Sequence, residues 1–148
     1  MMLTRAPTKS DFDEIVRVID TWWAGPTAAL AHPIFFYELG QAARVVEING
    51  RLVGFLLGFL TTDQPPVGYV HLIGVDPSYR RQGVARRLYE SFEDTCRGAG
   101  CRRLKAITTV GNEVSRRFHE AMGWRASIVR DYAGAGRHRM VFTKDLSG

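Results

Sequence analysis

The feature that most constrains the fold is a pair of apolar segments joined by the dipeptide Asn49-Gly50. ARVVEI precedes the dipeptide and RLVGFLLGFL follows it. A tight two-residue hairpin turn needs left-handed backbone at both central residues, and Asn-Gly adopts it readily. The second segment is also too short to span a bilayer. The sequence therefore predicts a β-hairpin over residues 43–60.

The rest of the chain alternates between strand-like and helix-like patterns. A short strand is expected near residues 3–8, followed by a helix that Ser10 or Asp11 caps and that runs to about Trp23. Further strands are expected at 67–75, 102–110, 124–132 and 138–146, and helices at 84–98 and 112–122, with a short one within 34–43. This order predicts one α/β domain over residues 1–148, a mixed sheet with helices on both faces.

Composition and charge narrow the classes of function. The chain has 148 residues, 45% of them hydrophobic, and a formal charge of +5, which favours an anionic ligand. Seven arginines lie between positions 80 and 103, but no aromatic residues alternate with them as in a nucleic-acid-binding surface. The two cysteines form no CxxC motif and no apolar leader is apparent, so we expect a cytoplasmic protein with reduced thiols and no membrane or metal site.

The stretch SYRRQGVARR, residues 78–87, lies between a strand and a helix. The first amide groups of a helix have no partner within the helix, and the helix dipole places partial positive charge there. A glycine at position 83 allows a phosphate to approach the backbone closely. The stretch matches neither the GxxxxGK[ST] nor the GxGxxG motif. It therefore indicates either a phosphate-binding turn or simply a basic helix cap.

Two motifs together resemble those of the GNAT N-acetyltransferases. LIGVDPSYRRQGVARRLYESF is similar to the central motif of that family, and GNEVSRRFHEAMGW to its downstream motif. The resemblance covers about residues 3–146 and implies a GNAT fold: a single mixed, mostly antiparallel sheet of about seven strands, helices on both faces and splayed central strands. It also implies acetyl-coenzyme A as co-substrate. The residues expected to bind it are Ile73, Val75, Arg80, Arg81, Gln82, Gly83, Val84, Ala85, Arg86 and Asn112, the last of which is also a plausible helix cap.

The resemblance implies direct attack of an amine on a thioester, assisted by a base and an acid. The family commonly places a tyrosine acid where this chain has His119, in FHEAMGW, so His119 is either the proton donor or a structural residue. His71 is the candidate base, on a strand face that alternation predicts it to share with Tyr69, Ile73 and Val75. Glu47 and Glu38 are weaker alternatives. Tyr132 is expected at a strand end and would replace the missing tyrosine, or simply pack.

The acceptor is not specified by these residues. Trp22, Trp23, Phe35 and Glu38 are expected to line its pocket, although each aromatic one also suits a core. The leading function is an N-acetyltransferase acting on a primary amine of a small molecule or peptide. The alternatives are a non-catalytic acyl-coenzyme A binding module and, less favoured, a nucleic-acid binder; a homodimer is left open.

Overall fold

The computed structural model describes residues 1–23 and 30–146, which form a seven-stranded sheet with helices on both faces. Short 3-10 helices at Gly40–Ala42 and Pro77–Tyr79 lie in the connections between the strands and helices. The strands are β1 (Met2–Arg5), β2 (Arg44–Ile48), β3 (Arg51–Leu60), β4 (Val67–Val75), β5 (Arg103–Thr109), β6 (Arg125–Val129) and β7 (Arg139–Asp145). The helices are α1 (Lys9–Trp23), α2 (Ile34–Tyr37), α3 (Val84–Gly98) and α4 (Glu113–Ala121). Within these ranges, no helix has the length and apolar character needed to cross a bilayer.

The predicted hairpin is confirmed as β2 and β3. Asn49 and Gly50 have φ values of +52° and +78°, the left-handed pair that a tight primed turn requires. The strands pair antiparallel from Ile48 and Arg51 at the turn to Arg44 and Leu56. The hairpin forms the middle of one half of the sheet, where β3 also pairs with β4.

The strand order β1-β2-β3-β4-β5-β7-β6 contains one parallel pair, β4 with β5. That pairing extends only over Val67–Val70 of β4, although the strand continues to Val75. Beyond Val70 the two strands are no longer hydrogen-bonded to each other and a groove opens between them. The expected mostly antiparallel sheet with splayed central strands is therefore confirmed.

Two apolar clusters cover the two faces of the sheet. One contains Leu88 and Phe92 of α3 with Phe142 of β7, all fully buried. The other contains Ile15 and Ile19 of α1, packed against β2, β3 and β4. The helical spacing of the apolar residues in the sequence identified both stripes correctly, because each stripe faces the sheet.

The start of α1 differs from the prediction. Thr8, rather than Ser10 or Asp11, precedes the helix and accepts a hydrogen bond at Oγ1 from the amide of Asp11, 3.3 Å away. The Asp11 carboxylate in turn accepts from the amide of Thr8 at 2.7 Å. This reciprocal pair is a capping box, which satisfies two amide groups at once. Asp11 lies inside the helix and also pairs with Arg5.

Candidate active site

The turn before α3 has the geometry of an anion-binding cradle. Arg81 and Gly83 both have positive φ, +65° and +83°, and Gly83 is the N-terminal cap residue of α3. The first amide to bond back is that of Arg87, which donates to the carbonyl of Gly83 at 3.0 Å. No side chain caps the helix. The amides of the first helical turn are therefore available to an anion.

The four arginines around the cradle have different roles in the structure. Arg80 donates from Nη2 to the carbonyl of Trp22 at 3.1 Å, and Arg87 donates to the carbonyl of Met2 at 3.1 Å. Arg81, Arg86 and the neighbouring Gln82 are exposed. Since α1 has no basic residue in its last turn, Arg80 supplies a cation to the C-terminal end of that helix.

A groove of about 550 Å³ extends from the cradle between the diverging strands β4 and β5. Its lining includes seven of the expected site residues and also Gly74 and Tyr89; the seven are His71, Ile73, Val75, Arg80, Ala85, Asn112 and His119. A larger cavity of about 700 Å³ lies at the other end of β4, near Val67, and contains none of these residues. The groove is therefore the candidate site.

His71 is placed by a bulge in β4. Gly58 of β3 pairs with Val70 and Leu57 pairs with Leu72, so His71 is an extra residue opposite β3. The bulge breaks the alternation: Ile73 and Val75 pack against the cluster beneath α3, whereas the His71 ring stacks on Phe35, on the α1 side of the sheet. The prediction that His71 shares a face with Ile73 and Val75 is therefore wrong.

The tautomer of His71 follows from its hydrogen bond. Its Nε2 lies 2.8 Å from the carbonyl oxygen of Leu30, which can only accept, so Nε2 carries the proton. Nδ1 then presents a lone pair. Burial lowers the pKa of His71, and the bond to Leu30 only partly opposes this effect. The ring, 3.9 Å from that of Phe35, is therefore neutral at pH 7 and has one nitrogen able to accept a proton.

His119 is buried and its two ring nitrogens are both engaged. Nδ1 lies 2.8 Å from the carbonyl oxygen of Ser115 and therefore carries the proton, so Nε2 accepts from the hydroxyl of Tyr89, also 2.8 Å away. The ring stacks on Phe142 at 4.1 Å. Burial lowers the pKa of His119. A neutral His119 in this arrangement has no N–H left to donate to a sulfur atom in the groove.

Asn112 caps α4, as the sequence allowed. Its Oδ1 accepts from the amide of Ser115 at 3.2 Å, and its Nδ2 donates to Oγ1 of Thr108 at 3.1 Å. The side chain thereby links the start of α4 to the end of β5. Because Asn112 also lines the groove, the cap and a contact with a bound ligand are compatible.

Tyr132 lies on the side of the sheet opposite His119. Since β6 ends at Val129, Tyr132 belongs to the connection to β7 and not to the end of a strand. Its ring centroid is 5.0 Å from Nζ of Lys105. Lys105 alternates with Leu104 and Ala106, which belong to the core beneath α3, so it faces the other side. The structure therefore does not bring Tyr132 and His119 together.

The four residues expected to bind the acceptor have different surroundings. Trp22 is buried and its ring lies 5.9 Å from that of Phe55, so it is a core residue. Phe35 is half-buried against His71, and Glu38 is exposed just after α2. Trp23 ends α1, but its side chain lies outside the described residues. Of these four, Phe35 has a described side-chain contact with a groove residue.

Sequence reasoning missed Tyr89, which is fully buried, lines the groove and bonds to His119. Its signal was the helical spacing to Phe92 and Cys96, which placed it beside the apolar stripe of α3. Nothing in a single sequence indicates that a hydroxyl on α3 meets a ring on α4. The two residues are 30 positions apart in sequence and meet only in the folded chain.

Comparison with known proteins identifies the family. The family model described as the acetyltransferase (GNAT) family matches residues 8–124. The chain belongs to this family. Its fold is similar to that of yncA from Salmonella typhimurium, an acetyltransferase whose structure was solved with its cofactor acetyl-CoA; the TM-score is 0.73 at 17% identity, over 99% of this chain and 94% of that one.

Two curated relatives of this GNAT chain are named for different acceptors. The L-2,4-diaminobutyric acid acetyltransferase of Nocardia farcinica is 27% identical over 83% of this chain, which spans only 64% of that relative. The aminoglycoside N(6')-acetyltransferase type 1 of Salmonella typhimurium is 34% identical over 59% of this chain and 67% of its own length. These names differ in the acceptor and agree in the transferred group.

Proposed function

We propose that this GNAT protein is an N-acetyltransferase that moves the acetyl group of acetyl-coenzyme A to a primary amine. The observation that carries the proposal is the continuity of the cradle at Gly83 with the groove between β4 and β5. Free amides at one end suit a pyrophosphate, and a slot between diverging strands suits an extended thioester arm. Bound acetyl-coenzyme A would supply an activated acyl group.

The residues of the cradle fit the phosphates in different ways. The amides of Gln82, Gly83, Val84, Ala85 and Arg86 are our candidates for direct contact, whereas Arg81 and Arg86 add positive charge from solvent. Ile73 and Val75 would flank the extended arm, and Asn112 would contact it from the opposite wall of the groove. The bond from Arg80 to Trp22 lies beside the cradle and connects it to α1.

His71 is our candidate for the general base. An alkyl ammonium has a pKa near ~10.4 in water, so the amine must lose a proton before or during attack. Because Nε2 of His71 donates to the carbonyl of Leu30, the lone pair on Nδ1 is the one that would accept this proton, directly or through a water molecule. The proton leaves the amine nitrogen as that nitrogen bonds to the acetyl carbon and the carbon–sulfur bond breaks.

His119 is better suited to positioning than to proton donation. Its N–H is held by Ser115 and its other nitrogen accepts from Tyr89, so the ring fixes α4 against α3 beside the groove. The departing thiolate has a reference pKa near ~8.5 and is a tolerable leaving group without an acid. We accordingly assign proton transfer to His71 and alignment of the groove wall to His119 and Tyr89.

The test is acetyl transfer by the purified chain, followed as free thiol release with a panel of amines. We expect turnover with at least one primary amine and a kcat/KM that rises with pH through the lowered pKa of His71. His71→Gln should reduce kcat/KM by roughly 10²–10⁴-fold and remove that inflection, with coenzyme A affinity unchanged. Binding of coenzyme A without turnover of any amine would instead support the non-catalytic module.

A further inference from the structure

The part of the acceptor side that β5, β6 and β7 form carries an excess of positive charge. Leu104, Ala106, Met140 and Phe142 belong to the core beneath α3, so the residues that alternate with them in β5 and β7 face the other side. Strand register then places four basic side chains and one acidic side chain on that side, from β5, β7 and β6: Arg103, Lys105, Arg125, Arg139 and Asp145.

Lys105 lies on the same side of the sheet as the proposed base. It pairs directly with Tyr69 in the ladder between β5 and β4, and His71 is the second residue after Tyr69. Tyr69, His71 and Lys105 lie on the same side of the sheet, on the two strands that border the groove, so one small molecule on that side can reach both His71 and Lys105. Tyr69 shares this side: burial, and secondarily the neighbouring Tyr132, raise the pKa of its phenol.

Lys105 has no carboxylate partner among the residues that the structure describes. Its Nζ lies 5.0 Å from the ring centroid of Tyr132, and it forms no ion pair with any residue in 1–23 or 30–146. Lys144 on β7, by contrast, is paired with Glu93 at 3.2 Å. A half-buried ammonium beneath a tyrosine ring is a ready partner for an anion on a ligand.

Carboxylates that would bind a polycationic acceptor are sparse near His71. Asp131 in the connection between β6 and β7 lies 3.7 Å from the ring of His138, and Asp145 is at the far end of β7, opposite Arg103. Glu38 is exposed at the end of α2. This charge balance opposes an acceptor that carries several ammonium groups and favours one that carries an anion.

We propose that the acceptor is a small amine that also carries a carboxylate, with Lys105 binding the carboxylate and His71 facing the amine. The proposal rests on the proposed acetyl transfer and names the acceptor class of the same site. It makes Lys105 a residue that determines specificity and takes no part in the chemical step. His71 lies on β4 and Lys105 on the neighbouring β5, so the acceptor must carry its amine and its carboxylate a few bonds apart, as diamino acids do.

The experiment compares pairs of acceptors that differ only by the carboxylate: lysine with cadaverine, ornithine with putrescine, and 2,4-diaminobutyrate with 1,3-diaminopropane. We expect kcat/KM to be roughly tenfold to a hundredfold higher for the amino acid of the preferred pair, the range of one charge-assisted hydrogen bond. Lys105→Met should abolish the preference by raising KM for the amino acid alone. Lys105→Glu should reverse it in favour of the diamine.

Lys144→Met is the matched control, because Lys144 lies on β7 but faces the other side of the sheet, next to Glu93. It should leave the preference intact. Equal kcat/KM within every pair, or a preference that survives Lys105→Met, would overturn the proposal. Turnover of other amines with none of these acceptors used would also overturn it, while leaving acetyl transfer in place. Failure to bind coenzyme A would instead refute the proposed function itself.

Discussion

The hydrogen bond between Tyr89 and His119 offers a sharp test of how the groove wall is built. Both groups are nearly inaccessible, with exposed fractions of 2% and 5%, and their bond is 2.8 Å long. Tyr89→Phe leaves Nε2 of His119 buried without a donor, and His119→Phe leaves the hydroxyl without an acceptor. Each single change should lower the free energy of unfolding by about 1–3 kcal/mol, the cost of an unsatisfied buried group.

The double variant removes both polar partners and keeps two aromatic rings, one of them still stacked on Phe142. We therefore expect it to lose less stability than the sum of the single variants, with a coupling energy of about 1–2 kcal/mol. Urea unfolding at pH 7.5, followed by tryptophan fluorescence, measures the free energy of unfolding of the unmodified protein, the two single variants and the double variant. Additivity within about 0.5 kcal/mol would refute the bond as described.

The same variants separate positioning from proton donation. If His119 aligns α4, Tyr89→Phe and His119→Phe should change turnover to a similar extent, because either one breaks the same bond. If His119 donates a proton to the thioester sulfur, His119→Phe should lower turnover far more than Tyr89→Phe, with coenzyme A affinity unchanged in both. Steady-state kinetics and calorimetric titration with coenzyme A distinguish the two results.

Three further changes test other parts of the site. Gly83→Asp should abolish coenzyme A binding, measured by calorimetry. The control is Gly136→Asp, at a glycine with a similar φ of +74° and open surroundings, which should only lower stability. Equal coenzyme A affinity in the two variants would contradict phosphate binding at the cradle. Burial lowers the pKa values of His71 and His119, so the unfolded chain binds more protons than the folded chain below about pH 6.5. The free energy of unfolding should therefore fall as the pH decreases through that value. His119→Phe should make this pH dependence weaker in acid denaturation curves. Phe35→Ala exposes His71 and should move the inflection of the pH–rate profile upward, and an unmoved inflection would argue against His71 as the base.

Much of the architecture was accessible from local patterns. The Asn49-Gly50 turn and the apolar runs beside it specified β2 and β3, because the required backbone conformation depends on those two residues alone. The cradle was predicted for a similar reason, since a glycine before a helix start combines positive φ with free amides. The cap of α1 was placed two or three residues too late, because Thr8, Ser10 and Asp11 are all good capping residues and only the hydrogen bonds select one.

The sequence by itself determined the elements of the proposed donor side of the site: a strand, a glycine turn and a helix that are contiguous in the chain and interact through backbone groups. The acceptor side was decided by tertiary structure. The bulge at His71 depends on the register between β3 and β4, and it moved that ring from the face of Ile73 to the face of Phe35. His119, which the motif left as either a proton donor or a structural residue, meets Tyr89 only because α3 and α4 pack on the same side of the sheet. Side-chain chemistry at such positions follows from neighbours far apart in sequence, and no local pattern encodes them.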